Sequence, residues 1–407
     1  MSLTEYLEYV MGEPGGPRRP GRIRSGARRL AAGAVTAAAA AAITMLGLVM
    51  VVVAWRSAAG LRHEFDPRQQ AGRAHLAWTG LPVATRLAGS RDPQLQAAEI
   101  RLRSAGQPAV AAKLARLAAE PSAFWASGQP GDMARVRTLS RAATQAGASA
   151  VVVAYDIPGR DACGRFSANP PGPGPAAYRT WVRQLAAAIG DAPDIVIVEP
   201  DAVADIVTGC LSPPAAAVRY GLLRYAMSTL GGLPRAYVYL DAGNPGMFPD
   251  PARLARPLRR AGAGYGRGFA ANVSNFYWTR QVVPWCQALE RALGQLPALP
   301  AASAQARGRA ATGPAHWRRA TAPGAVIDTS RNGNGPYTGH DSPQWCNPPG
   351  RAPGPPPRVD PGPAGIDAYL WVKTPGASDG PCNGGPRAGR FWPRYAVSLA
   401  RAWTTRG

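Results

Sequence analysis

Val151-Val-Val-Ala-Tyr155, followed by Asp156, and Ile195-Val-Ile-Val-Glu199, followed by Pro200 and Asp201, are the segments of this 407-residue chain that say most about its fold class. Each is a continuous apolar run of the length of a buried strand, and each leads directly into acidic residues. Runs that are apolar on both faces are typical of parallel sheets covered by helices on either side. The fold class is therefore predicted to be α/β.

Five more runs of the same kind surround these two, and helical patterns separate most of them. Seven strand–helix units predict a closed or nearly closed α/β barrel, and an open doubly wound sheet is the alternative. The other strand predictions cover residues 122–125, 236–240, 268–272, 325–328 and 367–372, and the helix predictions cover 131–147, 176–190, 214–231 and 279–294.

Polar side chains follow six of the predicted strands in succession. In parallel α/β folds, substrate-binding and catalytic groups gather at the carboxyl ends of the strands. An ordinary turn or helix cap explains any one such residue, but not the whole series. A carboxylate-rich cleft is therefore expected, drawn from Asp156, Asp161, Glu199, Asp201, Asp241, Asn272, Asn275, Asp328, Arg331, Asn332, Lys373 and Asp379.

The composition excludes several classes of function. The formal net charge is +22, but 44 of the 46 basic residues are Arg and no nucleic-acid-binding motif accompanies them, so no nucleic-acid partner is expected. The four His are scattered, which predicts no metal site, and no dinucleotide or phosphate loop predicts a cofactor. Carboxylates, amides and aromatic rings together are typical of glycoside hydrolase sites, where carboxyl groups act as acid and ionised partner and flat rings stack on sugars.

The N-terminal part of the chain predicts export. An uncharged run at residues 30–55 follows a basic segment, residues 1–29, and is long enough to cross a bilayer as a single helix with its N-terminus in the cytoplasm. Residues 56–87 are expected to form a stalk, and residues 88–407 the catalytic domain at the outer face of the cell membrane. Secretion after signal cleavage is the alternative. Outside the cytoplasm, two disulfides are expected from the five cysteines, although spacing alone does not choose the pairs.

Seven short motifs follow one another along the chain. They are Tyr155–Asp161, Ile197–Asp201, Leu240–Gly243, Asn272–Asn275, Ile327–Gly333, Trp345–Asn347 and Trp371–Gly380. In this order they resemble the motifs of glycoside hydrolase family 6, which contains endoglucanases and cellobiohydrolases acting on cellulose. The resemblance covers roughly residues 90–405 and is greatest to the actinobacterial-type endoglucanases. It implies a distorted seven-stranded parallel β/α barrel (TIM-like) that hydrolyses β-1,4-glucan with inversion, without a cofactor and as a monomer.

The resemblance also implies roles for individual residues. Asp201 matches the general acid, Asp161 the aspartate that keeps it protonated, and Asp379 the residue usually proposed as base. Tyr155 matches the tyrosine that presses on the sugar at the cleaved position. Apart from the resemblance, Glu199, which precedes Pro200, is expected to be a buried partner of the site, and the role of acid is its alternative. The positions expected to bind sugar are Trp125, Asn244, Asn272, Asn275, Trp345 and Lys373.

The family pattern pairs Cys163 with Cys210 and Cys346 with Cys382. Each bridge would hold a loop that carries a catalytic aspartate. Cys286 is left over and is expected to be a buried free thiol.

Three departures from the family pattern bear on activity. Asn244 and Met247 stand where the family usually has His and Trp, Ala377 replaces a Glu, and residues 296–323 form an unusual insertion. All three aspartates remain, which favours retained activity on an altered or poorer substrate. The short segments that follow Asp161 and Asp379 favour an open cleft and internal cleavage. The alternatives are a weakened glycan-binding envelope protein and a basic adhesin for acidic polymers.

Overall fold

The computed structural model describes residues 86–88, 93–164, 166–168, 174–296, 323–339 and 344–404. The predicted tail, membrane-spanning run and almost all of the stalk lie outside these residues, as does the insertion apart from its two ends. Among the described residues, no helix combines the length and the apolar character that a bilayer-crossing segment requires.

All seven predicted strands and all four predicted helices are confirmed. Five helices begin at Pro, whose fixed φ and missing N–H suit the first helical turn. The strands are β1 Leu87–Ala88, β2 Phe124–Ala126, β3 Ser149–Ala154, β4 Ile195–Val198, β5 Tyr237–Asp241, β6 Gly268–Ala271, β7 Gly324–Asp328, β8 Arg358–Val359 and β9 Ile366–Leu370. The helices are α1 Pro93–Ser104, α2 Pro108–Ala119, α3 Asp132–Gln145, α4 Pro175–Ile189, α5 Ala202–Val207, α6 Pro213–Gly231, α7 Ala255–Ala261, α8 Thr279–Gly294 and α9 Pro393–Ala402, with short 3-10 turns at Pro251–Leu254 and Ala263–Tyr265.

The sheet is barrel-like and nearly closed. Strands β2, β3, β4, β5, β6, β7 and β9 pair in that order, all in parallel. The ends of this series then meet, because Ser122 forms a parallel bridge with Trp371, and the Ala123 N–H donates to the Trp371 carbonyl at 3.0 Å. The antiparallel strand β8 adds to β9, and β1 adds to β3. The alternative of an open doubly wound sheet is therefore wrong.

Alternate strand residues enter two different cores. Val152 and Val196 belong to the larger core, together with apolar residues of the surrounding helices. Val151, Val153 and Ile197 belong to a second core of strand residues, enclosed by the sheet. Helices α1, α2 and α9 form a third core around Trp371 and Trp392. The strands are thus fixed on both faces, which holds their carboxyl ends in place.

Candidate active site

The carboxyl ends of the strands bend in an unusual way. Asp161, Glu199, Asp201, Asn272 and Asn347 all have positive φ, between 46° and 69°, in the left-handed region that side chains other than Gly seldom adopt. Such backbone persists only where the surrounding structure holds it, and it concentrates at functional sites. These turns direct polar side chains to one edge of the sheet.

Asp201 lies in a group of carboxyls directly after β4. Its backbone N–H donates to Asp241 Oδ2 at 3.0 Å, and Gly243 N–H donates to the same oxygen at 3.2 Å. Burial, followed by the nearby carboxyls of Asp241 and Asp161, holds the pKa of Asp201 well above its ordinary value. Burial raises the pKa of Asp241 to about 7. A carboxyl in this setting keeps its proton near neutral pH, as a general acid must.

Asp161 and Tyr155 are connected through Ser167. Asp161 Oδ2 accepts from the Ser167 N–H at 2.7 Å and from Ser167 Oγ at 2.8 Å. The Tyr155 hydroxyl lies 2.9 Å from Ser167 Oγ. Burial, and then the charge of Asp201, hold the pKa of Tyr155 well above its ordinary value. Tyr155 is therefore a neutral phenol beside both Asp161 and Asp201.

Arg160 and Trp125 hold Tyr155 in position. The Arg160 guanidinium donates to the carbonyls of Tyr155, Ser127 and Ser167, and its carbon lies 4.7 Å from the centre of the Tyr155 ring. Trp125 meets Tyr155 edge to face at 5.1 Å, and its indole N–H donates to the Val372 carbonyl at 2.8 Å. The Trp125 ring, a predicted sugar contact, is partly exposed here.

Asp205 of α5 holds the loop that carries Asp161 through hydrogen bonds to its backbone. The Asp205 carboxylate accepts from the N–H groups of Ala162 and Cys163 and lies 3.4 Å from Arg219 Nη1. Arg219 also donates to the carbonyls of Pro158 and Gly159. The Cys163–Cys210 disulfide confirms the predicted pairing. These two sulfurs and Asp205 lie within 4.8 Å of one another, but the disulfide and the hydrogen bonds already occupy them.

Asp379 is held between two cations. Its Oδ2 accepts from Arg331 Nη1 at 2.8 Å and from the Asn347 N–H at 3.0 Å, and its Oδ1 lies 2.9 Å from Lys373 Nζ. Burial opposes ionisation, but Arg331 and Lys373 outweigh it and lower the pKa of Asp379. The charge of Lys373, a predicted sugar contact, also acts to lower the pKa of Asp201, against the larger effect of burial. The charge of Lys373 therefore acts on both aspartates.

The second disulfide, Cys346–Cys382, confirms the other predicted pairing, and Cys286 is buried and unpaired as expected. The Cys346–Cys382 bridge connects the segment that contains Trp345 to the loop that follows Asp379. Asn347 strengthens this connection, since its Oδ1 accepts from the Asp379 N–H at 2.8 Å. Trp345 keeps 41% of its surface exposed, which suits a sugar platform.

Two of the three asparagines expected to bind sugar form side-chain hydrogen bonds with the backbone. Asn272 is completely buried, and its amide bonds to the Tyr277 backbone and the Asp328 carbonyl. The Asn244 side chain is also buried and accepts from the N–H groups of Gly246 and Met247, which makes it a turn former. The expectation of a sugar contact is corrected for Asn272, because its side chain has no exposed surface. For Asn244 the sugar contact stays a prediction. Asn275 is partly exposed.

Glu199, the alternative acid, is a structural carboxyl. It is completely buried and accepts from the N–H groups of Asp156 and Ile157 and from the Tyr178 hydroxyl. Burial raises its pKa to about 7. Because Glu199 has no exposed surface, it holds the segment that follows β3 and does not meet substrate.

The sequence alone does not single out Ser167, Phe166 or Arg160. Ser167 lies within a Pro- and Gly-rich loop, where a serine carries no signal of its own. Arg160 precedes Asp161 directly, and this adjacency to a predicted catalytic aspartate was the available signal. Phe166 was detectable only as an apolar residue in an otherwise polar loop.

Comparison with known proteins gives one consistent result. The sequence model of the glycosyl hydrolases family 6 matches residues 87–403. Endoglucanase 1 of Streptomyces sp. (strain KSM-9) is 37% identical over 290 residues, which cover 70% of this chain and 70% of that protein. Endoglucanase 1 of Streptomyces halstedii is 34% identical over 317 residues, 76% of this chain and 87% of that protein.

A solved structure shares the fold. The endoglucanase Cel6 from Mycobacterium tuberculosis, in complex with methyl-cellobiosyl-4-deoxy-4-thio-β-D-cellobioside, superposes with a TM-score of 0.63 at 35% sequence identity. The match covers 78% of this chain and 97% of that chain.

Proposed function

The chain belongs to the glycosyl hydrolases of family 6, and we propose that it cleaves internal β-1,4-glucosidic bonds of cellulose or a related β-glucan on a distorted seven-stranded, TIM-like barrel. One observation carries the proposal: the carboxyl of Asp201, with a pKa well above the ordinary value, lies beside Asp161 and Asp241 at the edge where the strands end. Relatives named endoglucanases support internal cleavage.

Asp201 is the general acid. Its proton passes to the glycosidic oxygen as the C–O bond breaks, and the leaving sugar departs as a neutral alcohol. Positive charge then develops on the cleaved sugar ring. The neighbouring carboxylates stabilise this charge, while the neutral Tyr155 hydroxyl adds no charge of its own.

A water molecule attacks the anomeric carbon from the opposite face, which inverts the configuration. Ser167 offers the route for its proton: Oγ takes the proton from water and passes its own to Asp161, 2.8 Å away. Asp379 is a weaker candidate for the base, because two cations occupy its oxygens and its pKa is lowered. We assign Asp379 the role of a fixed negative charge that holds Lys373 in place.

Two rival functions have less support. A glycan-binding protein without activity would not need an acid with a raised pKa, and the relatives carry the names of enzymes. A basic adhesin would not need the carboxylate-rich strand ends. We therefore favour hydrolysis, with cello-oligosaccharide binding a part of the same activity.

The position of the enzyme in the cell is also a proposal. The uncharged run at residues 30–55, after a basic segment, supports a single-pass anchor with the catalytic domain outside the cell membrane. The two disulfides suit an exported protein. The polysaccharide is the expected partner, and the enzyme is expected to act as a monomer.

The test is Asp201→Asn, which keeps the shape of the side chain and removes the transferable proton. Release of reducing ends from barley β-glucan is expected to fall by about 10³-fold or more, while the thermal midpoint stays close to that of the wild type. Asp194→Asn is the matched control, because Asp194 is also buried but lies before β4, at the opposite end of the strand. Equal turnover by wild type and Asp201→Asn would refute the role of Asp201.

A further inference from the structure

Two aromatic rings near the reaction centre remain exposed to water. Phe166 keeps 38% of its surface exposed and Trp345 keeps 41%. Within the described ranges, three other large apolar side chains are as exposed, and they are Ile100, Val218 and Met247. The two rings belong together, with their centres 5.5 Å apart and their planes tilted by 38°.

The Phe166 side chain is fixed by the loop beneath it. A Cβ atom placed on Gly380 would lie within 2.7–2.8 Å of Phe166 side-chain atoms, so the ring packs directly on the Gly380 backbone. Gly380 also has a φ of 153°, where a side chain would be strained. Only a glycine at this position lets Phe166 lie over the residue that follows Asp379.

The backbone around both rings is tied to the aspartates. Ser167, the next residue after Phe166, donates twice to Asp161. Two residues after Trp345, the Asn347 N–H donates to Asp379. The pair therefore bridges the Asp161 loop and the Asp379 loop, each of which is also held by a disulfide.

We propose that Phe166 contacts the substrate and helps to determine specificity, forming with Trp345 one two-ring surface for a glucosyl residue close to the cleaved bond. This inference rests on the proposed function. The hydroxyls of a β-1,4-linked glucosyl ring point outward, and its two faces carry only C–H groups, which pack well on aromatic faces. Covering two exposed rings with such a face removes apolar area from water on both partners.

A purely structural part for Phe166 is the competing explanation. In that case the side chain matters because it fills the space over Gly380 and thereby positions Ser167. Three substitutions separate the two explanations. Phe166→Leu keeps apolar packing without a flat ring, Phe166→Tyr keeps the ring, and Phe166→Ala removes both.

The experiment measures KM and kcat on cellopentaose with the full-length chain in detergent, together with thermal midpoints. Phe166→Ala and Phe166→Leu are expected to raise KM about tenfold with kcat within about twofold, since a lost stacking contact weakens ground-state and transition-state binding alike. Phe166→Tyr is expected to keep the KM of the wild type within about twofold. Val218→Ala, on the outer helix α6, is the control for loss of an exposed apolar side chain and should change neither constant.

A Phe166→Leu enzyme with the KM of the wild type would overturn the proposal, as would a fall in kcat and thermal midpoint without a rise in KM. Calorimetric titration of cellopentaose into Asp201→Asn, with and without Phe166→Leu, tests the contact independently of turnover. Weaker binding by the double variant supports the contact, and equal binding refutes it. If the wild type neither binds nor cleaves β-glucan, the proposed function fails before Phe166 is tested.

Discussion

Replacing Asp241 by Asn should move the alkaline limb of activity to lower pH. Asp241 is buried, and its Oδ2 accepts from the N–H groups of Asp201 and Gly243, which an Asn side-chain oxygen can still do. The other oxygen, Oδ1, has no hydrogen-bond partner in the structure, so the new NH₂ group replaces an atom that bonds to nothing. The substitution therefore changes charge more than geometry.

The magnitude follows from the charges. Two unit charges about 6 Å apart, in an effective dielectric constant of about 20, interact by about 3 kcal/mol, which corresponds to about 2 pKa units. The pKa of Asp241 is about 7, so near neutral pH it carries its charge roughly half of the time. Asp241→Asn is therefore expected to lower the pKa of Asp201 by about 1 unit. Burial and the charge of Asp161 still hold the pKa of Asp201 above its ordinary value in this variant.

The assay is the pH dependence of kcat on barley β-glucan, whose alkaline limb reports the general acid in the enzyme–substrate complex. Asp201 works in its protonated form, so a lower pKa brings the loss of activity to lower pH. Asp194→Asn is the control: burial raises the pKa of Asp194 to about 6, but its partners are Ser140 and the Ala150 N–H, at the opposite end of the strands. An unmoved limb in Asp241→Asn, or an equal shift in Asp194→Asn, would refute the electrostatic coupling.

Three further outcomes concern stability. Removing the Cys163–Cys210 disulfide, with both residues changed to Ser, should lower the free energy of unfolding by about 4 kcal/mol, because the disulfide closes a loop with a sequence separation of 47. Urea denaturation measures this free energy, and an unchanged midpoint would contradict the prediction. Arg219→Met leaves the buried Asp205 without its cation and should cost about 3–5 kcal/mol in the same assay, together with a fall in kcat, whereas wild-type stability would show that the pair is dispensable. For Asp194, whose raised pKa means that the folded state holds a proton the unfolded chain has released, stability should fall by about 3 kcal/mol as pH rises from about 4 to 6. Asp194→Asn should lack that loss, and parallel pH profiles of unfolding for the two proteins would disprove the assignment.

The strands could be predicted because they obey a local rule. A run such as 151–155 is apolar throughout, and no amphipathic helix or half-exposed strand reads that way. The carboxyl-end acids could be placed at one edge for the same reason, since parallel strands share their direction. The cysteine pairs came from the resemblance alone, because spacing leaves several pairings open.

The direction of individual side chains could not be predicted. Asn272 and Asn244 follow strands just as Asp161 and Asp201 do, but the Asn272 amide donates to the Asp328 carbonyl and the Asn244 oxygen accepts from the N–H groups of its own turn. The pairing of Asp379 with Arg331 joins residues 48 positions apart, and it changes which group suits the role of base. Both facts depend on which donors the folded loops leave without partners, and that is set by tertiary structure.

Trp125, a predicted sugar contact, is also part of the architecture of the barrel. Its indole N–H donates to the Val372 carbonyl where β2 meets the end of β9, next to the bridge between Ser122 and Trp371. Phe or Tyr could still offer a flat face to a sugar, but neither carries a donor at that point of the ring. A change of substrate through this position is thus constrained, because exchanging the ring would also remove one of the hydrogen bonds that join the two ends of the strand series.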